Sequence, residues 1–392
     1  MRLVSHKTEQ FTESVIRAMT RLCEKHGGIN LAQGFPDFPA PGELKEAAKE
    51  AIDADYNQYA VTWGTRELRQ AIAAKMARHN HVNCDADTEV TVTCGATEAM
   101  IAALLAVVNP GDEIVIFEPF YENYGPDAVI SGAVPRYVGL RPPDFSFDVD
   151  ELRSVCNRRT KAIIVNTPHN PSGRVFTRAE LEHISAVCQE VDCLAITDEI
   201  YEHILYDERA HVSLASLPGM RDRTITISGL SKTYSVTGWR LAYAIATQPL
   251  SDSIRKIHDF LTVGAPHPLQ WAGARALRLA DSYYAQLVKD YSARRAILAA
   301  GLEVAGFPFA MPQGAYYMLA DIGALGAADD VRFCEWLTRE IGVAAVPGSS
   351  FYHDPALGRR FIRFAFCKRV ETLQAAADRL AEVPQRIKQW TG

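Results

Sequence analysis

Lys232 stands in the run Ser228-Gly229-Leu230-Ser231-Lys232-Thr233-Tyr234, between two hydroxyl side chains, and Arg240 follows directly after Gly238-Trp239. A lysine that condenses with an aldehyde cofactor needs an ordered, polar setting of this kind, and a nearby guanidinium suits a phosphate on the same molecule. The preceding Thr224-Ile225-Thr226-Ile227 reads as a buried strand, which would fix the lysine at a strand end. A lone Ser-Lys is more often a solvated loop, so the other polar loops must decide.

Each of four further loops offers one chemical group. Cys94-Gly95-Ala96-Thr97-Glu98 joins a strand to a helix. There the small residues let backbone N–H groups approach a phosphate, and the helix N-terminus favours an anion. Helix capping by Thr97 accounts for the same residues. Glu118-Pro119-Phe120-Tyr121 presents an aromatic that could stack on a flat ring, although packing is the commoner use. Asn166-Thr167-Pro168-His169-Asn170-Pro171-Ser172-Gly173 has the composition of a turn. In Asp198-Glu199-Ile200-Tyr201 a carboxylate could pair with a protonated pyridine nitrogen, or simply cap a helix. No Gly-x-Gly-x-x-Gly or Walker motif occurs.

Near the C-terminus, Arg359-Arg360-Phe361-Ile362-Arg363-Phe364-Ala365 alternates like a strand, with Arg363 on the same face as Phe361 and Ala365. An arginine on an apolar face needs an anionic partner. A planar guanidinium grips a carboxylate through two parallel bonds, so an α-carboxylate fits.

The elements that position these residues follow from periodicity. Between Glu89 and Ala246, strand-like runs at 90–93, 113–117, 162–165, 193–197, 224–227 and 241–245 alternate with helical patterns, such as Thr97 to Val108. Such alternation predicts an α/β fold, with a large domain built on a mainly parallel sheet flanked by helices. Ligands in that architecture bind at the C-terminal strand edge, where all of these loops fall. A helical pattern from Ser282 to Val304 leads into a mixed C-terminal region. The expected division is a large domain at 46–275, a smaller α+β domain at 276–392, and an N-terminal segment, 1–45, joining the small one.

The composition narrows the function classes. The 392 residues carry 41 basic and 47 acidic side chains, a net charge of −6, with no basic stripe for nucleic acid. The N-terminus lacks the apolar stretch of a signal peptide, and the longest apolar run, Ala99 to Val108, is too short to span a bilayer. A soluble cytoplasmic protein is expected. Eight cysteines without a Cys-x-x-Cys pair suit buried thiols in a reducing compartment, and no metal site is expected.

These segments together resemble the fold-type I pyridoxal-phosphate aminotransferases of the aspartate aminotransferase superfamily. The likeness is strongest to the branch of kynurenine, glutamine and methionine aminotransferases, and it runs from about residue 31 to 370. It implies pyridoxal 5′-phosphate as cofactor, bound covalently by Lys232. Tyr121 would stack on the pyridine ring and Asp198 would pair with its nitrogen. Asn170, from the Asn-Pro-x-Gly motif, and Tyr201, from Asp-Glu-x-Tyr, would hydrogen-bond the phenolic O3′. Gly95, Ala96, Thr97, Ser231 and Arg240 would surround the phosphate. Many relatives have serine where Gly229 stands, which leaves open whether Ser228 or Ser231 replaces it. Arg363 and the Gly34 backbone, in Leu31-Ala32-Gln33-Gly34-Phe35-Pro36-Asp37-Phe38, would meet the substrate carboxylate. Tyr59 would reach the phosphate of a partner subunit, implying a homodimer.

The implied reaction moves an amino group from an L-amino acid to a 2-oxo acid by a ping-pong route. A carbon–sulfur β-lyase is the alternative on the same parts, as is an aspartate- or alanine-type aminotransferase. A cofactor-sensing transcription regulator would need a DNA-binding domain, which the residues before Leu31 are too few to form. Dicarboxylate-specific relatives carry an arginine in the interdomain loop. His258 to Pro266 has none, while Gly264 and Ala265 are small. The expected donors are therefore aromatic, methionine-like or glutamine-like.

Overall fold

The structure is a computed structural model that describes residues 3–390. Its largest sheet has seven strands: β1 (Val90–Thr93), β2 (Glu113–Glu118), β3 (Val134–Gly139), β4 (Thr160–Asn166), β5 (Leu194–Asp198), β6 (Thr224–Gly229) and β7 (Ala242–Ile245). Their spatial order is β1-β7-β6-β5-β4-β2-β3, and β7 alone runs antiparallel to its neighbours. Val115, Ile163 and Ala195 point into one apolar layer, whereas Ile116, Ile164 and Ile196 point into the other. Burial on both faces is why these strands read as unbroken apolar runs.

Two features depart from the expected pattern. Strand β3 pairs in parallel with β2 at the sheet edge. Val134 and Arg136 are exposed there and Pro135 interrupts the apolar run, so no strand signal arises. The run at 241–245 does form a strand, but it returns from the lysine loop antiparallel to β6. The parallel strands all finish at one edge, bringing Asn166, Asp198 and Gly229 to the same end as the start of the helix Ala96–Val107.

The C-terminal part builds a three-stranded antiparallel sheet from β8 (Tyr317–Asp321), β9 (Val346–Pro347) and β10 (Phe361–Ala365), with β10 in the centre. Arg363 lies opposite Leu319 on one side and Val346 on the other. The helix Asp281–Val304 packs against Val370–Leu380. The N-terminal segment is stitched to this unit. Ile29–Asn30 pairs in parallel with Val343–Ala344, and the Ala365 N–H donates to the Leu31 carbonyl at 2.7 Å. Met19, Cys23, Leu31 and Ala32 share a core with Phe364 and Phe366, and this contact carries the Gly34 loop across to the sheet edge. Among the described residues, no helix is long and apolar enough to cross a membrane.

Behind Asp198 lies a buried polar network. Glu199 accepts from the Ser213 hydroxyl at 2.9 Å and contacts His211 Nε2 at 2.8 Å. Glu202 accepts from Asn80 Nδ2 at 2.7 Å and from the Ser228 hydroxyl, and it forms an ion pair with Lys75. The ligand atoms of Glu199, Glu202 and His211 lie within 4.8 Å of one another, a spacing a metal ion could use. The Lys75 ammonium already supplies a cation to this cluster. Burial, the largest single influence, would raise the Glu202 carboxyl, but Lys75 together with His203, His79 and His211 outweighs it and holds the group well below its ordinary range. Removing one partner of such a buried pair strands the other charge. Lys75→Ala should therefore lower folding stability by about 3–5 kcal/mol, measured as a shift in the denaturant midpoint.

Candidate active site

The loops at the sheet edge enclose a cavity of about 470 Å³, lined by residues that include Lys232, Ser231, Arg240, Asp198, Asn170 and Arg363. At one end Gly95 has φ +89°, and a Cβ there would collide with the Arg240 guanidinium. Only glycine allows this approach. Ala96 and Thr97 continue the cradle as the first turn of the helix Ala96–Val107, with their N–H groups free of intrahelical partners. Arg240 itself is left-handed at φ +53°, and its Nη1 donates to the Thr237 carbonyl at 3.0 Å. A helix start, a guanidinium and the Ser231 hydroxyl thus converge where a phosphate would fit.

Gly229 explains its departure from the family pattern. A Cβ there would lie 2.7 Å from the Ala242 Cβ and 2.9 Å from the Leu241 carbonyl oxygen, so the β6–β7 pairing excludes serine. Of the flanking serines, Ser231 lines the cavity, while the Ser228 hydroxyl turns to Glu202.

The opposite end suits a pyridine ring. Asp198 Oδ2 accepts from the Tyr124 hydroxyl at 2.7 Å, and Oδ1 accepts from the Ile200 N–H at 3.2 Å. Burial raises this carboxyl above its ordinary value, although both hydrogen bonds oppose the shift. Tyr121 lines the cavity edge-on to Tyr124, with centroids 5.7 Å apart. The Tyr201 hydroxyl lies 3.0 Å from that of Tyr317. Sequence reasoning did not select Tyr124, which opens the helix Tyr124–Ser131 three residues after Tyr121 and owes its place in the site to a contact with Asp198.

Lys232 extends between these ends. Its Nζ donates to the Gly34 carbonyl at 3.4 Å and lies 5.9 and 5.8 Å from the Tyr201 and Tyr316 ring centroids. Burial, reinforced by the positive charges of Arg240 and Arg363, lowers the amine to about 8.

Arg363 is fully buried. Its Nη1 donates to Asn170 Oδ1 at 2.8 Å and its Nη2 to the Ala32 carbonyl at 2.9 Å, while Nε has no partner. The guanidinium lies 4.3 Å from the Tyr317 ring centroid and 4.9 Å from that of Phe351. No carboxylate pairs with it among the described residues, leaving a buried cation with a donor to spare. Because Asn170 Oδ1 accepts from Arg363, the amide nitrogen must be the group left for another partner. A Cβ on Gly34 would collide with the Tyr317 hydroxyl, so this loop position also requires glycine. Tyr316 and Tyr317 escaped the residue-level reading. Tyr59 stands apart: it is 85% exposed and borders a separate cleft with Gly264 and His267.

The family model of aminotransferase class I and II matches residues 26–380. This chain belongs to that family. Class I and II aminotransferases depend on pyridoxal phosphate, and this one is a transaminase of fold type I. The aminotransferase is 39% identical over 377 residues to the methionine aminotransferase of Escherichia coli (strain K12), across 96% of this chain and 97% of that protein. It is 34% identical over 393 residues to kynurenine–oxoglutarate transaminase 1 of Homo sapiens, covering 92% and 93%. The solved structure of N-succinyldiaminopimelate aminotransferase from Mycobacterium tuberculosis superposes with a TM-score of 0.94 at 40% identity, covering 97% of this chain and 100% of that one. These relatives favour a transaminase over the β-lyase alternative.

The lowered Lys232 amine has a direct readout. Only the neutral amine attacks an aldehyde, and an ordinary lysine becomes neutral near 10.5. Pyridoxal phosphate added to cofactor-free protein and trapped with borohydride should label Lys232, and the initial rate should rise with a midpoint of about 8. Peptide mapping with rate measurements from pH 6 to 10 checks both statements.

Proposed function

We propose that the cavity binds an L-amino acid by its α-carboxylate at Arg363 and transfers its amino group to a 2-oxo acid. The buried guanidinium with an unused Nε, in the same cavity as Lys232, carries this reading. When bound, pyridoxal phosphate supplies the electron sink for the bond made labile at Cα. The chain supplies the rest. Gly95, Ala96, Thr97, Ser231 and Arg240 would hold the phosphate, Asp198 the pyridine nitrogen, Asn170 and Tyr201 the phenolic oxygen, and Tyr121 one ring face. Lys232 Nζ, once free, would take a proton from the substrate Cα as general base and pass it as general acid to the cofactor's C4′, and the second half of the cycle would reverse both transfers. The Gly34 loop and Tyr317 close the site beside the carboxylate and keep water from it.

The donor reading rests on the cavity wall, where Ile16, Phe35, Met100 and Tyr121 offer apolar surface. A large apolar side chain gains about 1.5–3 kcal/mol by leaving water. Methionine and kynurenine are named among the substrates of the relatives. A donor panel should give higher kcat/KM for methionine, phenylalanine and kynurenine than for aspartate. Arg363→Ala should lower every donor by about two to three orders of magnitude, the loss of one buried charge-assisted pair, with the cofactor spectrum intact. Lower stability with unaltered kinetics would make Arg363 structural.

The homodimer belongs to the same proposal. Tyr59, Val61, Phe260 and Val263 are exposed, and Phe260 is 92% exposed. Their two segments adjoin, since His258 Nε2 contacts the Thr62 carbonyl at 2.9 Å and His267 Nδ1 that of Gln58. An apolar patch of this kind suits a second copy of the chain. Residues 1–45 and 276–392 would form the smaller domain beside a large domain at 46–275. Six buried thiols among eight unpaired cysteines fit a reducing cytoplasm. If Tyr59 serves the neighbouring site, mixing inactive Lys232→Ala with an inactive Tyr59→Ala/Arg240→Ala double variant should restore part of the activity through hybrid dimers. Full activity in a monomer would overturn the dimer.

A further inference from the structure

Asp127 lines the same cavity as Lys232 and Asp198 but takes no part in the chemistry proposed above. It is 5% exposed, and its Oδ2 has no hydrogen-bond partner. A buried carboxyl left unpaired is costly once ionised. Burial alone pushes this one up to about 7, and no charge on the cavity wall opposes the shift. The charged groups on the elements around it are engaged elsewhere. Its helix, Tyr124–Ser131, packs against Ala96–Val107 and β3. Glu98 of the first contacts His258 at 3.0 Å. On β3, Arg136 donates to Glu113 at 2.7 Å and Tyr137 stacks on His353. Lys7 Nζ donates to the Ile130 carbonyl at 2.6 Å, and Glu122 accepts from the Ser14 hydroxyl. That leaves Tyr124, three residues before Asp127 and on the same helix face, as the titratable group beside it.

We infer that Asp127 is a positioning residue whose ionisation, passed through the Tyr124 hydroxyl to Asp198, sets how firmly Asp198 holds the proton of the pyridine nitrogen. The inference rests on the cofactor placement proposed above and adds the group that tunes it. The Tyr124 hydroxyl donates to Asp198 Oδ2 at 2.7 Å. Burial first, then Asp198, and after them the Tyr121 and Asp127 charges hold that hydroxyl well above its ordinary value. A negative charge beside a phenol makes it a weaker acid and a weaker donor. Ionised Asp127 therefore leaves Asp198 with more of its charge for its remaining partner, and neutral Asp127 leaves it with less. Linked hydrogen bonds of this kind strengthen or weaken one another in a low-dielectric interior.

Two measurements on the full chain test this. The first is stability without cofactor. The Asp127 carboxyl is raised in the folded state, so the stability it contributes is complete at acid pH and is lost as pH climbs to about 7. Asp127→Asn, which stays neutral, should raise the denaturant midpoint at about pH 8 and raise it less at about pH 5. The second is binding of pyridoxamine 5′-phosphate, which carries the pyridine ring but forms no bond with Lys232. Wild type and Asp127→Asn should bind it alike at about pH 5. At about pH 8 the wild type should bind about three- to tenfold more tightly, the size of one hydrogen bond's net contribution. In a Tyr124→Phe background, Asp127→Asn should leave binding unchanged. Equal affinities at both pH values overturn the inference, as does a gap that survives in Tyr124→Phe or a midpoint that does not rise at the higher pH. Asp198→Ala should weaken binding at either pH. If it does not, the cofactor placement falls, a failure distinct from that of Asp127.

Discussion

The burial of one positive charge without a counter-charge among the described residues organises this molecule. Arg363 sits at the centre of the small sheet, and its surroundings are arranged to hold it rather than to neutralise it. Asn170 and the Ala32 carbonyl take two of its donors, and the Tyr317 and Phe351 rings cover its planar surface. These partners come from the Asn-Pro loop of the large sheet, the N-terminal segment and the small sheet. A single guanidinium therefore ties together three regions distant in sequence. Desolvating it is unfavourable without an anion, so the resting protein keeps an electrostatic demand that a carboxylate would meet.

The same logic acts with opposite sign behind Asp198. There two carboxylates are buried, and Lys75 with a set of polar donors balances them within the protein. That network balances its carboxylates within the protein behind the end of β5, whereas the cavity leaves the Arg363 charge unpaired. Neighbouring positions in one loop serve the two purposes. Asp198 faces the cavity, and Glu199 and Glu202 face the network.

Much of this was legible in the sequence wherever local chemistry and period carried the signal. The central strands are buried on both faces and read as β-branched runs. Arg363 could be found because a charged residue on the apolar face of a strand is conspicuous. The loops at 94–97, 166–173 and 198–201 announced themselves through residue types unusual at strand ends. What stayed hidden depends on contacts across the chain. Strand β3 is an edge strand with an exposed face and a proline. Tyr124 gains its role only from meeting Asp198, and Tyr317 from lying between Arg363 and Tyr201. Nothing within the helix Val15–Lys25 tells that its first turn borders a cavity shared with Lys232 and Arg363, more than two hundred positions away. The sequence could not tell Ser228 from Ser231; the pleat sends the side chain of Ser228 to the buried network, and Ser231 lines the cavity.

The lysine loop is closed at both ends by the antiparallel pairing of β6 with β7. Gly229 lies opposite Ala242, and the Leu230 N–H donates to the Leu241 carbonyl at 3.1 Å. Lys232 and Arg240 therefore leave and rejoin the sheet at points whose separation the strand register sets. The loop behaves as a fixed-length gauge, spanning from Lys232 to Arg240. Its side chains could drift over evolution with only local consequences. Its length could not, because one residue more or less would shift the alternation of β7 and turn its inward side chains outward.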